Sequence, residues 1–256
     1  TIGGNIAFVD NEVTKLVPSS NNPNGDDIIR GNNVIRVGEE INTFFLPQWA
    51  GVNPSNGEPL FYDSDGNVTN VYDSDANVLM SGKSPLADFD GGLNLYVNYK
   101  GFDLATDFYF KSGNYILNYM ESNMVSDGVN VQDNQRVDAF NYWRNPGDTN
   151  VLPSPLYGNE AQQNSDRWLQ KGDFVRLRNL TLGYNVPVND INTLGLTSLR
   201  VFLQAQNLWT YAPHFNGDPE VGIGSGETGN SVGFGNYNLY SYPTLKSFSV
   251  GIDVKF

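Results

Sequence analysis

The 256-residue sequence predicts an all-β fold, an antiparallel transmembrane β-barrel segment with long extracellular loops. Three observations point there: period-two alternation at the end of the chain, a long hairpin near its middle, and a sorting of connections by length. In the last stretch, residues 242–256, Phe248, Val250, Ile252, Val254 and Phe256 fall on one face, and Ser247, Ser249, Gly251, Asp253 and Lys255 on the other. An apolar face backed by a hydrophilic one suits a strand between lipid and a wet lumen. A strand of a soluble β-sandwich alternates in the same way, so this stretch alone leaves both folds open.

The hairpin is read from residues 91–111. With Lys100-Gly101 as a two-residue loop, Tyr99 faces Phe102, Val97 faces Leu104, Leu95 faces Thr106 and Leu93 faces Phe108, while Gly91 lies opposite Phe110. The other side pairs Asn98 with Asp103, Tyr96 with Ala105 and Asn94 with Asp107. Each arm has the ~9–11 residues that a tilted strand needs to cross a bilayer. Further strands are expected over 174–186, with a β-bulge at Arg178-Asn179, and over 198–207, the two separated by Pro187 and one helical turn within 189–195. If the end of the chain lies on one side of a membrane, the long stretches 112–173 and 209–241 fall on the far side. The connections 100–101 and 187–197 fall on the near side. Outer-membrane barrels sort their loops in this manner, and a soluble sandwich has no reason to.

Composition removes several classes of function. A net charge of −13 argues against nucleic acid, whose phosphates need clustered Lys and Arg. The absence of Cys excludes disulfides, thiolate catalysis and Cys-ligated metals, and the single His214 excludes His-pair metal motifs. No window has the ~18 apolar residues of a spanning helix. The sequence opens T-I-G-G without an initiator Met or a signal segment, so a piece of a longer precursor is expected.

The first third reads as strand pieces between turns: a short strand or strand pair in 4–16, an exposed loop over 17–30, a strand-like run over 34–46, then Asn-Pro and Asn-Gly turns. Acids outnumber bases thirteen to four up to Asp90, which makes these loops anionic. Tyr62-Asp63-Ser64-Asp65-Gly66-Asn67-Val68 is echoed by Tyr72-Asp73-Ser74-Asp75-Ala76-Asn77-Val78. Asp63, Asp65, Asn67 and Asp73, Asp75, Asn77 have the opening spacing of a calcium loop, but the sixth position lacks Gly and the twelfth is Ser. Tight hairpin turns are the favoured reading, and no cofactor is expected. Residues 112–170 are turn-rich, without a helical period.

Several motifs together resemble the C-terminal end of SusC/RagA-type TonB-dependent outer-membrane transporters. They are R-W-L-Q-K-G-D-F-V-R-L-R-N-L-T-L-G-Y-N-V-P at 167–187, L-R-V-F-L-Q-A-Q-N-L-W-T at 199–210, G-D-P-E-V at 217–221 and the terminal Y-P-T-L-K-S-F-S-V-G-I-D-V-K-F. V-G-E-E-I-N-T-F-F, A-G-V-N-P-S-N-G-E-P-L-F-Y-D-S-D-G-N and Y-K-G-F-D-L fit the same family in the same order. The resemblance implies that residues 1–256 are the C-terminal portion of a barrel of about 22 strands, with the plug domain and N-terminal strands outside this chain. It implies the outer membrane of a Gram-negative bacterium, energy from TonB, a SusD-like lipoprotein lid, a lipid and lipopolysaccharide surround, and import of oligosaccharides or peptides. It implies no catalytic residues.

Candidate functional residues follow from both readings. Phe248, Val250, Gly251, Ile252, Val254 and Phe256 are similar to the assembly signal of outer-membrane barrels, although Val250 stands where a polar residue is common. Asp218 and Glu220 lie in an external loop, facing lid or substrate, or else are solvated acids in a Pro-fixed turn; Glu227 lies in the same loop. Trp49, Trp143, Trp209 and Tyr211 suit either sugar stacking or a membrane-interface girdle. A soluble carbohydrate-binding sandwich and an Asp218/Glu220 glycosidase are the competing functions.

Overall fold

The computed structural model describes residues 1–129, 132, 134–155, 160–191, 193, 195–220, 235–237 and 242–256. Six strands form one sheet in chain order: β1 (Ile2–Phe8), β2 (Phe89–Tyr99), β3 (Phe102–Ser112), β4 (Phe174–Asn185), β5 (Ser198–Tyr211) and β6 (Ser247–Lys255). Every neighbouring pair is antiparallel. Alternation in sequence becomes rows across the sheet. Val97, Leu104, Leu182, Leu203 and Val250 form one row, and Tyr99, Phe102, Tyr184, Val201 and Ile252 the next. Asn94, Asp107, Asn179, Gln206 and Ser247 form a row on the opposite side.

The apolar side is bare: Leu203 is 47% exposed, Val250 76% and Ile252 63%. The runs 91–110 and 248–256 lie in the same sheet with their apolar sides facing the same way, so they cannot cover one another as a sandwich requires. Aromatic rows mark two levels. Tyr99, Phe102 and Tyr184 lie near the short turns, and Phe8, Phe89, Phe110, Trp209 and Tyr211 near the long loops. Along β3 the two levels are about 26 Å apart, or about 20 Å along the membrane normal at ~40° tilt, close to the apolar band of such barrels.

The expected hairpin register holds at every pair of β2 and β3. Lys100 (φ 48°) and Gly101 (φ 86°) both take positive φ, the backbone of a two-residue turn that matches strand twist. The bulge falls where expected, since Phe108 pairs with Leu177 and Asp107 with Asn179, leaving Arg178 over. On β5 the same irregularity is taken up between Gln206 and Trp209, with Asn207 at φ 52°. The strand therefore runs on to Tyr211, beyond the expected end at Asn207, and Trp209 and Tyr211 are strand residues rather than loop residues.

The connections 9–88, 113–173 and 212–246 leave the same end of the sheet, and 100–101 and 186–197 turn at the other. Helix α2 (Val188–Ile191) supplies the single turn expected there. The long connections pool into one lobe with its own core. Phe44, Leu46 and Met80 from the first meet Leu117, Val125 and Trp168 from the second. Fully burying side chains of this size is worth about 1.5–3 kcal/mol each. Backbone bonds cross between connections: Tyr115 N–H donates to Ser84 O (2.7 Å) and Leu117 N–H to Gly235 O (2.8 Å).

Two further expectations need correction. The run 34–46 is two paired strands, Asn33–Ile35 and Thr43–Pro47, because Gly38 and Asn42 take positive φ between them and reverse the chain. Residues 112–170 contain a helix, α1 (Tyr119–Val125), two turns long and too short to show a period. Its signal was local: the Asn118 side chain accepts from Glu121 N–H (2.9 Å) and satisfies a free donor of the first turn.

Candidate functional site

The hydrophilic side of the sheet is a connected array of charges and amides. Asp107 accepts from Asn94 Nδ2 (2.7 Å) and Asn179 Nδ2 (3.2 Å), its neighbours on either strand. Nearer the short turns, Asp103 is buried beneath Arg200, which donates through Nε (3.0 Å) and Nη2 (2.6 Å), and Asn185 Nδ2 adds a third bond (3.0 Å). Arg200 also reaches Asp253 at 3.4 Å. Phe202 interrupts the polar side because glycines flank it: a Cβ on Gly251 would strike its ring, and Gly183 lies opposite on β4.

At the loop end this array meets the third long connection. Alternation places Arg176 and Arg178 on the polar side, and the bulge keeps the next residue, Asn179, there as well. Arg176 is 2% exposed and donates to Thr210 Oγ1 (3.0 Å), Asp218 and Glu220. Arg178 donates to Glu220 and lies 3.9 Å from the ring centre of Tyr109. Asp218 also accepts from Glu220 N–H (3.0 Å) and Thr244 N–H (2.7 Å), joining the two ends of the connection. Burial alone would raise the Asp218 carboxyl; the bonds from Thr244, Glu220 and Arg176 outweigh it and hold the group below the usual Asp range. Asp218 and Glu220 are therefore ion-paired acids tying loop to wall, not the solvated pair expected of a Pro-fixed turn. Glu227 lies outside the described residues.

Beside this knot a cleft of about 480 Å³ opens, lined by Arg176 and Thr210, by Met120 and Met124 of α1, and by Pro243, Thr244 and Lys246. Arg136 on its rim is paired with Glu121 and Asp138. Apolar methionines beside fixed charges give a surface that binds both apolar and polar parts of a ligand.

The aromatic candidates separate. Trp49 borders a second cleft, about 460 Å³, with Asp148, Thr149, Asn150 and Arg167. It packs edge-on to Phe61 (5.2 Å), under the Arg167 guanidinium (4.6 Å), and its backbone N–H donates to Asp166 Oδ1 (2.8 Å). Trp143 spends its indole N–H on Pro54 O (3.0 Å), where its ring packs on Gly57. Trp209 and Tyr211 stack at 6.2 Å on the apolar outer side, the place of a girdle rather than of the polar interior. Asp63 accepts from Asp65 N–H (3.0 Å) and Asn67 N–H (2.7 Å), and closes a hairpin between Pro59–Tyr62 and Val68–Thr69. Asp73 accepts from Asp75 N–H (2.8 Å), but its turn leads into Asn77–Leu79, which pairs elsewhere, so only the first repeat is a hairpin. Among the described residues no three acidic or His side chains gather as a metal site. Sequence reading missed Arg176 and Arg178 as partners of the acids; two Arg at i and i+2 on the polar phase of the strand are the signal that could have found them.

No protein-family model matches the sequence. The chain is 28% identical over 260 residues to TonB-dependent receptor P3 of Formosa agariphila, an alignment covering 91% of this chain and 25% of that protein. It is 28% identical over 264 residues to the TonB-dependent receptor SusC of Bacteroides thetaiotaomicron, covering 98% and 24%. Its fold superposes on a chain of the RagAB peptide transporter with a TM-score of 0.80 at 24% identity, covering 100% of this chain and 27% of that one. The chain thus spans about a quarter of the length of these proteins, which are receptors and importers rather than enzymes. Sequence and fold agree with the resemblance to a C-terminal SusC/RagA-type barrel segment that the motifs carry.

Proposed function

We propose that this chain, similar to a quarter of the SusC/RagA-type TonB-dependent transporters, forms part of the wall and external lobe of an importer in the outer membrane of a Gram-negative bacterium. The observation that carries the reading is the bare apolar side of the six-stranded sheet, backed by a polar array and topped at one end by every long connection. Lipid covers such a side, and the polar array lines a wet interior. The remaining strands of the barrel would pair with β1 and β6, because an open edge in hydrocarbon leaves N–H and C=O groups unpaired at several kcal/mol each. A SusD-like lipoprotein above the lobe and TonB acting on a plug domain complete the assembly. The cargo is an oligosaccharide or peptide, and the 480 Å³ cleft beside Arg176 is the place on this chain where it makes contact. Asp218 and Glu220 serve there by fixing the loop that borders the cleft.

The test uses the full-length gene product. Expected is a protein that sediments with outer membranes, dissolves only in detergent and supports uptake of labelled oligosaccharide or peptide that stops when TonB is deleted. A product soluble without detergent, or uptake indifferent to TonB, refutes the proposal.

A further inference from the structure

We infer that the cleft beside Arg176 takes one carboxylate of a peptide cargo through Lys246, with an apolar side chain of the peptide lying next to it. The inference deepens the importer reading above and rests on it. The charged side chains lining the cleft are Glu121, Arg136, Arg176, Asp218 and Lys246. Arg176 is held by Asp218 and Glu220, and Arg136 by Glu121 and Asp138, so neither guanidinium has charge left over. Lys246 differs: it is exposed, and among the described residues its ammonium enters no ion pair and no hydrogen bond. Its backbone is nevertheless fixed on both sides. Thr244 N–H donates to Asp218 (2.7 Å), Asn207 Nδ2 donates to Leu245 O (3.1 Å), and β6 begins at the next residue, where Ser247 Oγ donates to Gln206 (3.1 Å). The root of the Lys246 side chain thus has a set place at the cleft, and binding has only its own torsions to order.

One uncommitted cation selects its partner by sign and by amount. A cationic group would meet Lys246 and acids already paired. A phosphate, with nearly two charges, would set the second against Asp218 and Glu121 with no cation to offset it. A monoanion is matched, and Thr210, whose Oγ1 accepts from Arg176 Nε (3.0 Å), keeps its own O–H to donate to it. The rest of the lining decides what carries the carboxylate. Met120 and Met124, one turn apart on α1, share a face, and Pro219 and Pro243 also line the cleft. None of these four side chains offers a strong hydrogen-bonding group. The hydroxyls of an acidic sugar pressed there would lose water without replacement. A leucine or phenylalanine side chain has no such loss, and the two thioethers adapt to either shape.

Full-length protein in non-ionic detergent is titrated calorimetrically with N-acetyl-Gly-Gly-Gly-Leu, with its C-terminal amide, and with the amide of N-acetyl-Gly-Gly-Glu-Leu, which carries the acid on a side chain. Wild type is expected to bind the terminal or the side-chain acid about ten-fold more tightly than the neutral amide, and the preferred one tells which carboxylate is taken. Lys246→Met, which keeps the apolar stem and drops the charge, should bind all three alike; Lys246→Arg should keep the preference. Should Lys246→Met not assemble, Lys246→Gln is expected to give the same loss. Exchanging the last Leu of the peptide for Ser should weaken binding to wild type. The inference is overturned if wild type binds none of the peptides or has no preference for either acid. A preference that survives Lys246→Met overturns it too, as does displacement of the peptide by an equal concentration of a hexuronic-acid or sulfated tetrasaccharide. Uptake indifferent to TonB overturns the importer reading itself, an outcome distinct from a TonB-driven importer whose cleft ignores the carboxylate.

Discussion

Arg176 donates to Asp218 with both side chains enclosed, 2% and 6% exposed, so a strand of the wall and a loop above it share one buried ion pair. Cutting such a pair on one side strands the other charge away from water. In the full-length protein, Asp218→Ala should cost about 3–5 kcal/mol. Asp253→Ala, which removes a 62%-exposed partner of Arg200, should cost less than about 1 kcal/mol. Thermal unfolding in detergent compares the two, and equal losses would show that the Arg176 pair is not buried in the assembled protein.

Acid should weaken the same tie. The folded Asp218 carboxyl lies below its unfolded value, about 3.9. Its stabilisation is complete above that value and disappears as pH falls through the lower folded value. The stability gap between wild type and Asp218→Asn should stay constant from about pH 8 to pH 5 and narrow below about pH 4. A gap that widens in acid would reverse the sign of the argument.

Phe202 and Gly251 form a size-matched pair. All three close neighbours of a Cβ on Gly251 are atoms of the Phe202 ring, with no backbone among them. Gly251→Ala should therefore destabilise, and Phe202→Ala should restore most of the loss in the double variant, with a coupling of about 1 kcal/mol or more. Unfolding of the two singles and the double measures it; additive losses would mean the contact is not made.

Neighbouring positions on β5 should respond oppositely to charge. Leu203→Arg puts a cation on the lipid side, at about 2–4 kcal/mol if near the midplane, whereas Gln204→Arg lies on the wet side. Heat-modifiable gel mobility of membrane fractions reports assembly. Loss with Gln204→Arg and survival of Leu203→Arg would turn the sheet inside out.

The wall was readable from sequence because its constraint is local. A strand between lipid and water must alternate at every residue, so Leu93 to Phe110 and Phe248 to Phe256 disclose register, faces and even the glycine beneath Phe110. The lobe obeys no such period. Phe44, Met80, Leu117 and Trp168 are far apart in the chain and meet only when connections from different strand pairs converge. The functional knot failed to show for the same reason. Asp218 and Glu220 look like surface acids until the third connection folds back over Arg176 and Arg178 on the polar side of the sheet. Trp209 and Tyr211 were legible as a girdle alternative, but the end of their strand was not, because the irregularity at Asn207 hides the continuing phase.

The pooled core of the lobe fixes an order of events. Its apolar side chains arrive on two separate connections, and the backbone join of Leu117 to Gly235 ties in the third. On the membrane reading proposed above, such a roof would set only after the staves beneath it are threaded, and its appearance outside would report completed insertion.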